Sequence, residues 1–219
     1  MATQRIAILG AGDIGATLGG KWAAAGHSVV FGVRNPESEK VAALRDRLGD
    51  QVKVTTMVES LVDSDVVLLA VTGQAVPDLA DQFGASFNGR IVIDATNQRF
   101  KGAAETTGEW GEQVTLNSVG VLRKSAPEAT LVRAFHHYSW EIFADPQFGD
   151  RRPDLFYCGP DDDAQRVVDE LIEQIGVRPV RVGDVDQTEA VDHLLELWAS
   201  LSIFQNRGRS NVAFAMLER

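Results

Sequence analysis

Gly10-Ala11-Gly12-Asp13-Ile14-Gly15 places three glycines at the spacing G-x-G-x-x-G, directly after the apolar run Ile6-Ala7-Ile8-Leu9. Ile14, Leu18, Trp22 and Ala25 then recur at helical intervals. A strand, a tight turn and a helix in that order form the context in which such glycines bind a dinucleotide. Gly10 can take the turn without a Cβ penalty, Gly12 lets the backbone approach a pyrophosphate, and Gly15 lets the helix pack close to the strand. The first helical turn, with Asp13 and Ile14, offers unpaired N–H groups and a partial positive charge to the two phosphates. Asp13 itself is a poor general base, because phosphate is its expected neighbour.

The end of the second strand decides which dinucleotide fits. Ser28-Val29-Val30-Phe31-Gly32-Val33 reads as that strand, and Arg34-Asn35-Pro36 follows it. Binders of the unphosphorylated nucleotide carry Asp or Glu there, on the ribose hydroxyls. No carboxylate stands at this position. Arg34 can instead form a charge-assisted fork with a 2′-phosphate, with Asn35 as a neutral donor and Ser38 and Lys40 in support. The expected cofactor is therefore NADP(H). In the other reading Arg34 lies along the adenine face and leaves the preference open.

Ala70-Val71-Thr72 and Ala95-Thr96-Asn97 close the fourth and fifth strands on the side expected for the nicotinamide half. Small residues there let the dinucleotide cross the sheet edge. His136 and His137 follow the strand Leu131–Phe135, beside Tyr138, Trp140 and Phe143. His136 is the candidate catalytic residue, a substrate-side contact or a proton donor. A pair of histidines packing the loop is the competing reading. Adjacent histidines point apart in extended backbone and no third ligand is fixed, so no metal site is expected. His193, within an apolar helix, reads as structural.

These residues need a scaffold, and the rest of the chain describes one. Helical stretches at about 36–48 and 74–83 separate strands at 52–54, 66–71 and 91–96, which implies right-handed crossovers and a parallel sheet. The polar stretch 97–111 reads as a loop over the carboxyl edge. A helix at 118–124, a strand at 131–135, a long loop at 136–149, a strand at 155–158, a helix opened by Asp161-Asp162-Asp163 and a strand at 177–182 complete the sheet. From Thr188 one long helix carries Val191, Leu194, Leu195, Trp198 and Leu201 on a wide apolar stripe, followed by a basic and then apolar tail. The expected fold is α/β, a Rossmann-type doubly wound and mainly parallel sheet with extra strands. Residues 1–184 would form the dinucleotide-binding domain, and 185–219 a C-terminal helix and tail packed on it or on a partner.

With 219 residues the chain can bury one substantial core. A net charge of -10 leaves no broad basic surface for a nucleic acid. Cys158 is the single cysteine, read as a small buried hydrophobe. No apolar run approaches membrane-spanning length, and Met1–Arg5 run straight into the first strand, so a cytoplasmic setting without a membrane is expected.

The chain resembles the NADP oxidoreductases that depend on the deazaflavin coenzyme. Ile8–Gly15, Gly26-His27, Gly32–Pro36, Val67–Val71, Ile93–Asn97, Val132–His136, Asp145–Gly149, Asp154–Gly159 and Asn211–Phe214 carry the resemblance. It implies a Rossmann domain with a small helical C-terminal part, a homodimer, and direct hydride transfer between nicotinamide and a stacked deazaflavin. It also implies that Gly10, Gly12, Asp13, Ile14 and Gly15 hold the pyrophosphate and that Arg34 and Asn35 hold the 2′-phosphate. Ala70, Val71 and His136 would lie near the nicotinamide or its partner. Val33 and Asn35 depart from the family's usual residues at the phosphate site, and His137, Tyr138 and Trp140 are bulkier than its usual ones. Three functions follow: hydride transfer between NADP(H) and a deazaflavin or flavin, reduction of a small carbonyl compound with His136 as proton donor, or non-enzymatic redox sensing. The first two require a small-molecule redox substrate.

Overall fold

Two apolar runs without alternation, Ile6–Leu9 and Val66–Leu69, lie mid-sheet, each residue at most 1% exposed. That pattern belongs to strands covered on both faces. The computed structural model describes residues 2–97 and 117–219. Among these, β1 (Arg5–Leu9), β2 (Ser28–Val33), β3 (Lys53–Thr56), β4 (Val66–Leu69), β5 (Ile91–Asp94), β6 (Thr130–Arg133), β7 (Asp154–Cys158) and β8 (Arg178–Gly183) form one sheet. The strand order is 3-2-1-4-5-6-7-8. The first six strands are parallel. β7 runs against β6, through the single pairing of Arg133 with Cys158, and β8 is parallel to β7. The order reverses between β1 and β4, and ligands of such sheets bind in the crevice at that switch point.

The helices are α1 (Asp13–Ala24), α2 (Glu39–Leu48), α3 (Met57–Leu61), α4 (Val76–Phe87), α5 (Ser118–Ser125), α6 (Trp140–Ala144), α7 (Asp163–Ile175) and α8 (Thr188–Ala199). Leu18 and Trp22 of α1 share one core with Leu171 of α7 and Trp198 of α8. Val76 and Phe87 of α4 share a second core with Leu122 of α5. The first core is pinned by polar contacts. Trp22 Nε1 donates to the Leu171 carbonyl at 2.9 Å and Lys21 Nζ to the Ile175 carbonyl at 2.8 Å.

Two expectations change, and a third falls on residues that are not described. The stretch 136–149 is no simple loop, since it holds α6, whose five residues are too short to give a period. His193 stands exposed on α8, whose buried side is made by Val191, Leu195 and Trp198. The loop expected at 97–111 lies, beyond Asn97, outside the described residues.

The tail returns to the sheet. The Asp154 N–H donates to the Phe214 carbonyl at 2.8 Å, and Trp198 Nε1 to the Val212 carbonyl at 2.8 Å. The Tyr138 hydroxyl donates to the Asp154 carbonyl at 2.9 Å and accepts from the Phe214 N–H at 2.8 Å. The buried Asp154 carboxylate takes both arms of Arg178, at 2.6 and 2.7 Å, and the Met216 N–H at 2.6 Å.

Candidate functional site

The glycine loop crosses the carboxyl end of β1. Gly10 has φ +116°, in the region that favours glycine, and its N–H donates to the Gly32 carbonyl at 3.2 Å. A Cβ there would overlap the Ala70 carbonyl oxygen. A Cβ at Gly15 would lie 2.7 Å from the Gly10 carbonyl oxygen, so α1 sits against the loop with no side chain between them. Gly12 is different. It is exposed, with φ -82° and ψ 178°, and no atom stands within 4 Å of its would-be Cβ. It is the N-cap of α1, and no side chain caps that helix. Asp13 and Ile14 open the first turn, where N–H groups have no intrahelical partner. The result is an open cradle of backbone donors at the positive end of a twelve-residue helix.

Arg34 and Asn35 follow β2 and are both exposed. Asn35 Oδ1 accepts from the Glu37 N–H at 3.0 Å, which fixes the turn and leaves its amide nitrogen to donate. Ser38 stands at the N-cap of α2, yet its hydroxyl makes no cap bond. Among the described residues the Arg34 guanidinium has no hydrogen-bond or ion-pair partner, and it follows β2 four positions before the uncapped N-terminus of α2, a donor set that suits a phosphate monoester.

A family model described as NADP oxidoreductase coenzyme F420-dependent matches residues 5–98, from β1 past the end of β5. The amino-terminal five strands of the chain are thus similar to that family. A F420-dependent NADP reductase of Methanothermobacter marburgensis is 27% identical over 218 residues, covering 94% of this chain and 96% of its own. Metalloreductase STEAP3 of Rattus norvegicus is 28% identical over 202 residues, covering 89% of this chain. The chain spans only 38% of that relative's length. The crystal structure of a hypothetical protein, SMa0349 from Sinorhizobium meliloti, superposes with a TM-score of 0.70 at 31% identity. It covers 100% of this chain and 97% of its own.

At the far end of the crevice, the chain holds Ala70, Val71 and Thr72 after β4, the first two half-buried and Thr72 exposed. Thr72 bridges to Asn97 in parallel, which ties the ends of β4 and β5 together. Ala95 is 7% exposed, so it keeps a small surface at the crevice. Thr96 departs from its expected role as a cofactor contact. It is fully buried, its N–H and hydroxyl donate to Asp94 Oδ1 at 2.9 and 2.6 Å, and its carbonyl accepts from Arg133 at 2.7 Å. All its polar atoms are committed beneath the surface.

Thr96 belongs to a buried network that pattern reading missed. Arg133 lies 3.2 Å from Asp94 Oδ1, and its Nε donates to Asp192 Oδ1 of α8 at 2.9 Å. Ser118, at the start of α5, donates to Asp94 Oδ2. A signal was present in the sequence: Asp94 ends Ile91-Val92-Ile93 and Arg133 follows Leu131-Val132, and charges inside buried strands need partners. The partners come from distant segments, so no local spacing reveals them.

His136 joins this network instead of lining the cleft. It is 3% exposed, and its Nε2 lies 3.1 Å from both the Val191 carbonyl and Asp192 Oδ1. Both neighbours only accept, which assigns the proton to Nε2. Burial, with the nearby Arg133 charge, lowers the His136 pKa despite Asp192. The same burial, reinforced by His136 and Arg133, holds His137 well below the ordinary value. Both rings are neutral at neutral pH, and the committed Nε2 proton of His136 does not serve as a general acid. His136 Nδ1 and both nitrogens of His137 are buried without a hydrogen-bond partner among the described residues. Burial would raise the Asp192 carboxyl, but the His136 hydrogen bond and the Arg133 charge more than offset it, holding it at about 2. Burial pushes the Cys158 thiol up to about 11, as suits an unreactive core position. No group of three metal-ligating side chains occurs among the described residues.

Proposed function

We propose that the chain binds NADP(H) across the carboxyl edge of the sheet and exchanges a hydride between it and a planar redox partner, a deazaflavin coenzyme or a flavin. One observation carries this reading: the open, uncapped N-terminus of α1 at Gly12 stands beside a second strand that ends on the free guanidinium of Arg34 and on no carboxylate. The full-length likeness to a reductase named for the deazaflavin coenzyme supports the choice of partner. In this reading Gly12 and the first turn of α1 hold the pyrophosphate, while Arg34 and Ser38 hold the 2′-phosphate. Ala70 and Ala95 leave room for a flat ring at the ends of β4 and β5. When bound, the nucleotide supplies a hydride from its nicotinamide ring. Transfer between two rings needs apposition and exclusion of water more than a side-chain acid. This agrees with a His136 that is neutral and committed elsewhere. The same reading takes the chain as a cytoplasmic homodimer, which sedimentation equilibrium tests.

Stopped-flow oxidation of NADPH against deazaflavin, flavin, quinone and small carbonyl acceptors tests the reaction. Rapid single-turnover oxidation by a deazaflavin or flavin, nearly flat in pH around neutrality, is the expected result. Oxidation by carbonyl compounds alone, with a rate set by one ionisation near neutrality, would replace this reading.

A further inference from the structure

The carboxyl ends of β5 and β6 stand over a buried charge cluster that does not balance. Asp94 receives donors alone: the Thr96 N–H and hydroxyl, the Ser118 hydroxyl and the Arg133 guanidinium. Each of these groups presents a proton to the carboxylate oxygens. Asp192 Oδ1 likewise receives the Arg133 Nε–H and the His136 Nε2–H. Among the described residues, two carboxylates against one guanidinium leave one net negative charge, since His136 and His137 are neutral. The Asp94 and Arg133 side chains are each 2% exposed and Asp192 is 30% exposed, so water screens the cluster poorly.

We propose that Asp192 is a positioning residue that acts through this cluster, and that its charge favours the oxidised, cationic nicotinamide ring over the reduced, neutral one. The inference rests on the reading that the nicotinamide half lies at the ends of β4 and β5. An uncharged ring feels little of the cluster's field, whereas a pyridinium ring is attracted by it. Between unit charges in a partly wet interior such attraction changes an equilibrium by about three- to thirtyfold. Asp192 is the member that makes the excess, because Asp94 and Arg133 already pair with each other. It comes from α8, so the C-terminal helix tunes chemistry further along the same carboxyl edge that holds the glycine loop's phosphate site. Relative retention of the oxidised form makes bound NADPH a stronger hydride donor.

The test is calorimetric titration of NADP⁺ and NADPH separately into the full chain and into Asp192→Asn and Asp192→Glu. Asn should weaken NADP⁺ about three- to thirtyfold more than NADPH, and Glu should keep the unsubstituted ratio. Should the Asn chain not fold, Asp192→Ser removes the same charge while keeping an oxygen for the two donors. Equal losses for both nucleotides, or no loss, would overturn the proposal and leave Asp192 a mere fastening of α8. Failure of the unsubstituted, folded chain to take up either nucleotide would be a different result, removing the cofactor reading and this inference together.

Discussion

Adding one methyl group at Gly10 and one at Gly12 tests two separate properties of the same loop. At Gly10 the methyl group meets the Ala70 carbonyl, and φ +116° is strained for any L side chain. Gly10→Ala should therefore cost stability, about 2 kcal/mol or more by chemical denaturation. At Gly12 the methyl group meets nothing and the backbone is ordinary. Gly12→Ala should change stability by less than about 1 kcal/mol while weakening NADPH binding at least tenfold. A chain that tolerated alanine at Gly12 with full affinity would place the pyrophosphate elsewhere. Arg34→Ala should weaken NADPH by about 1.5–3 kcal/mol, the range for a charged hydrogen bond, and leave NADH nearly unaffected. Equal small effects on both nucleotides would remove Arg34 from the phosphate site.

The pieces that hold the C-terminal third give predictions of their own. The Tyr138 hydroxyl satisfies one carbonyl on β7 and one N–H on the tail. Tyr138→Phe leaves both without that partner and should cost about 1–3 kcal/mol in the unfolding free energy. The histidines between β6 and α8 set a pH limit. Their folded-state pKa values lie below the unfolded value of about 6.5. As pH falls below about 6.5 the unfolded chain takes up protons that the folded chain refuses, so stability is complete above that value and declines beneath it. His137→Phe should flatten this decline in thermal unfolding measured from pH 7 to pH 5; an unchanged slope would assign it to other groups. Asp192 acts from the same side much further down, because its carboxyl is held at about 2, and its contribution is lost as pH falls from about 3.8 through that value. Sequence made some of these elements plain and hid others. The glycine loop's spacing, the two unbroken apolar runs and the helical stripe of α8 are each local patterns, so each shows itself within about a dozen residues. The direction of β7 does not, because a buried strand has the same composition whichever way it runs. Asp94, Arg133 and Asp192 were hidden for a related reason: Arg133 and Asp192 stand 59 positions apart, and only folding brings them together.

Across the whole molecule, the strand order 3-2-1-4-5-6-7-8 carries a further meaning. β1 is made first, β2 and β3 extend one margin from it, and β4 to β8 extend the other, one neighbour at a time. No strand has to be wedged between two already joined. A ribosome releasing this chain from its amino end would thus deliver each strand to a vacant margin, with the five strands 3-2-1-4-5 able to align once residue 94 has emerged. Birth order and spatial order agree, which spares the growing polypeptide the need to wait for its last residues before the crevice begins to take shape.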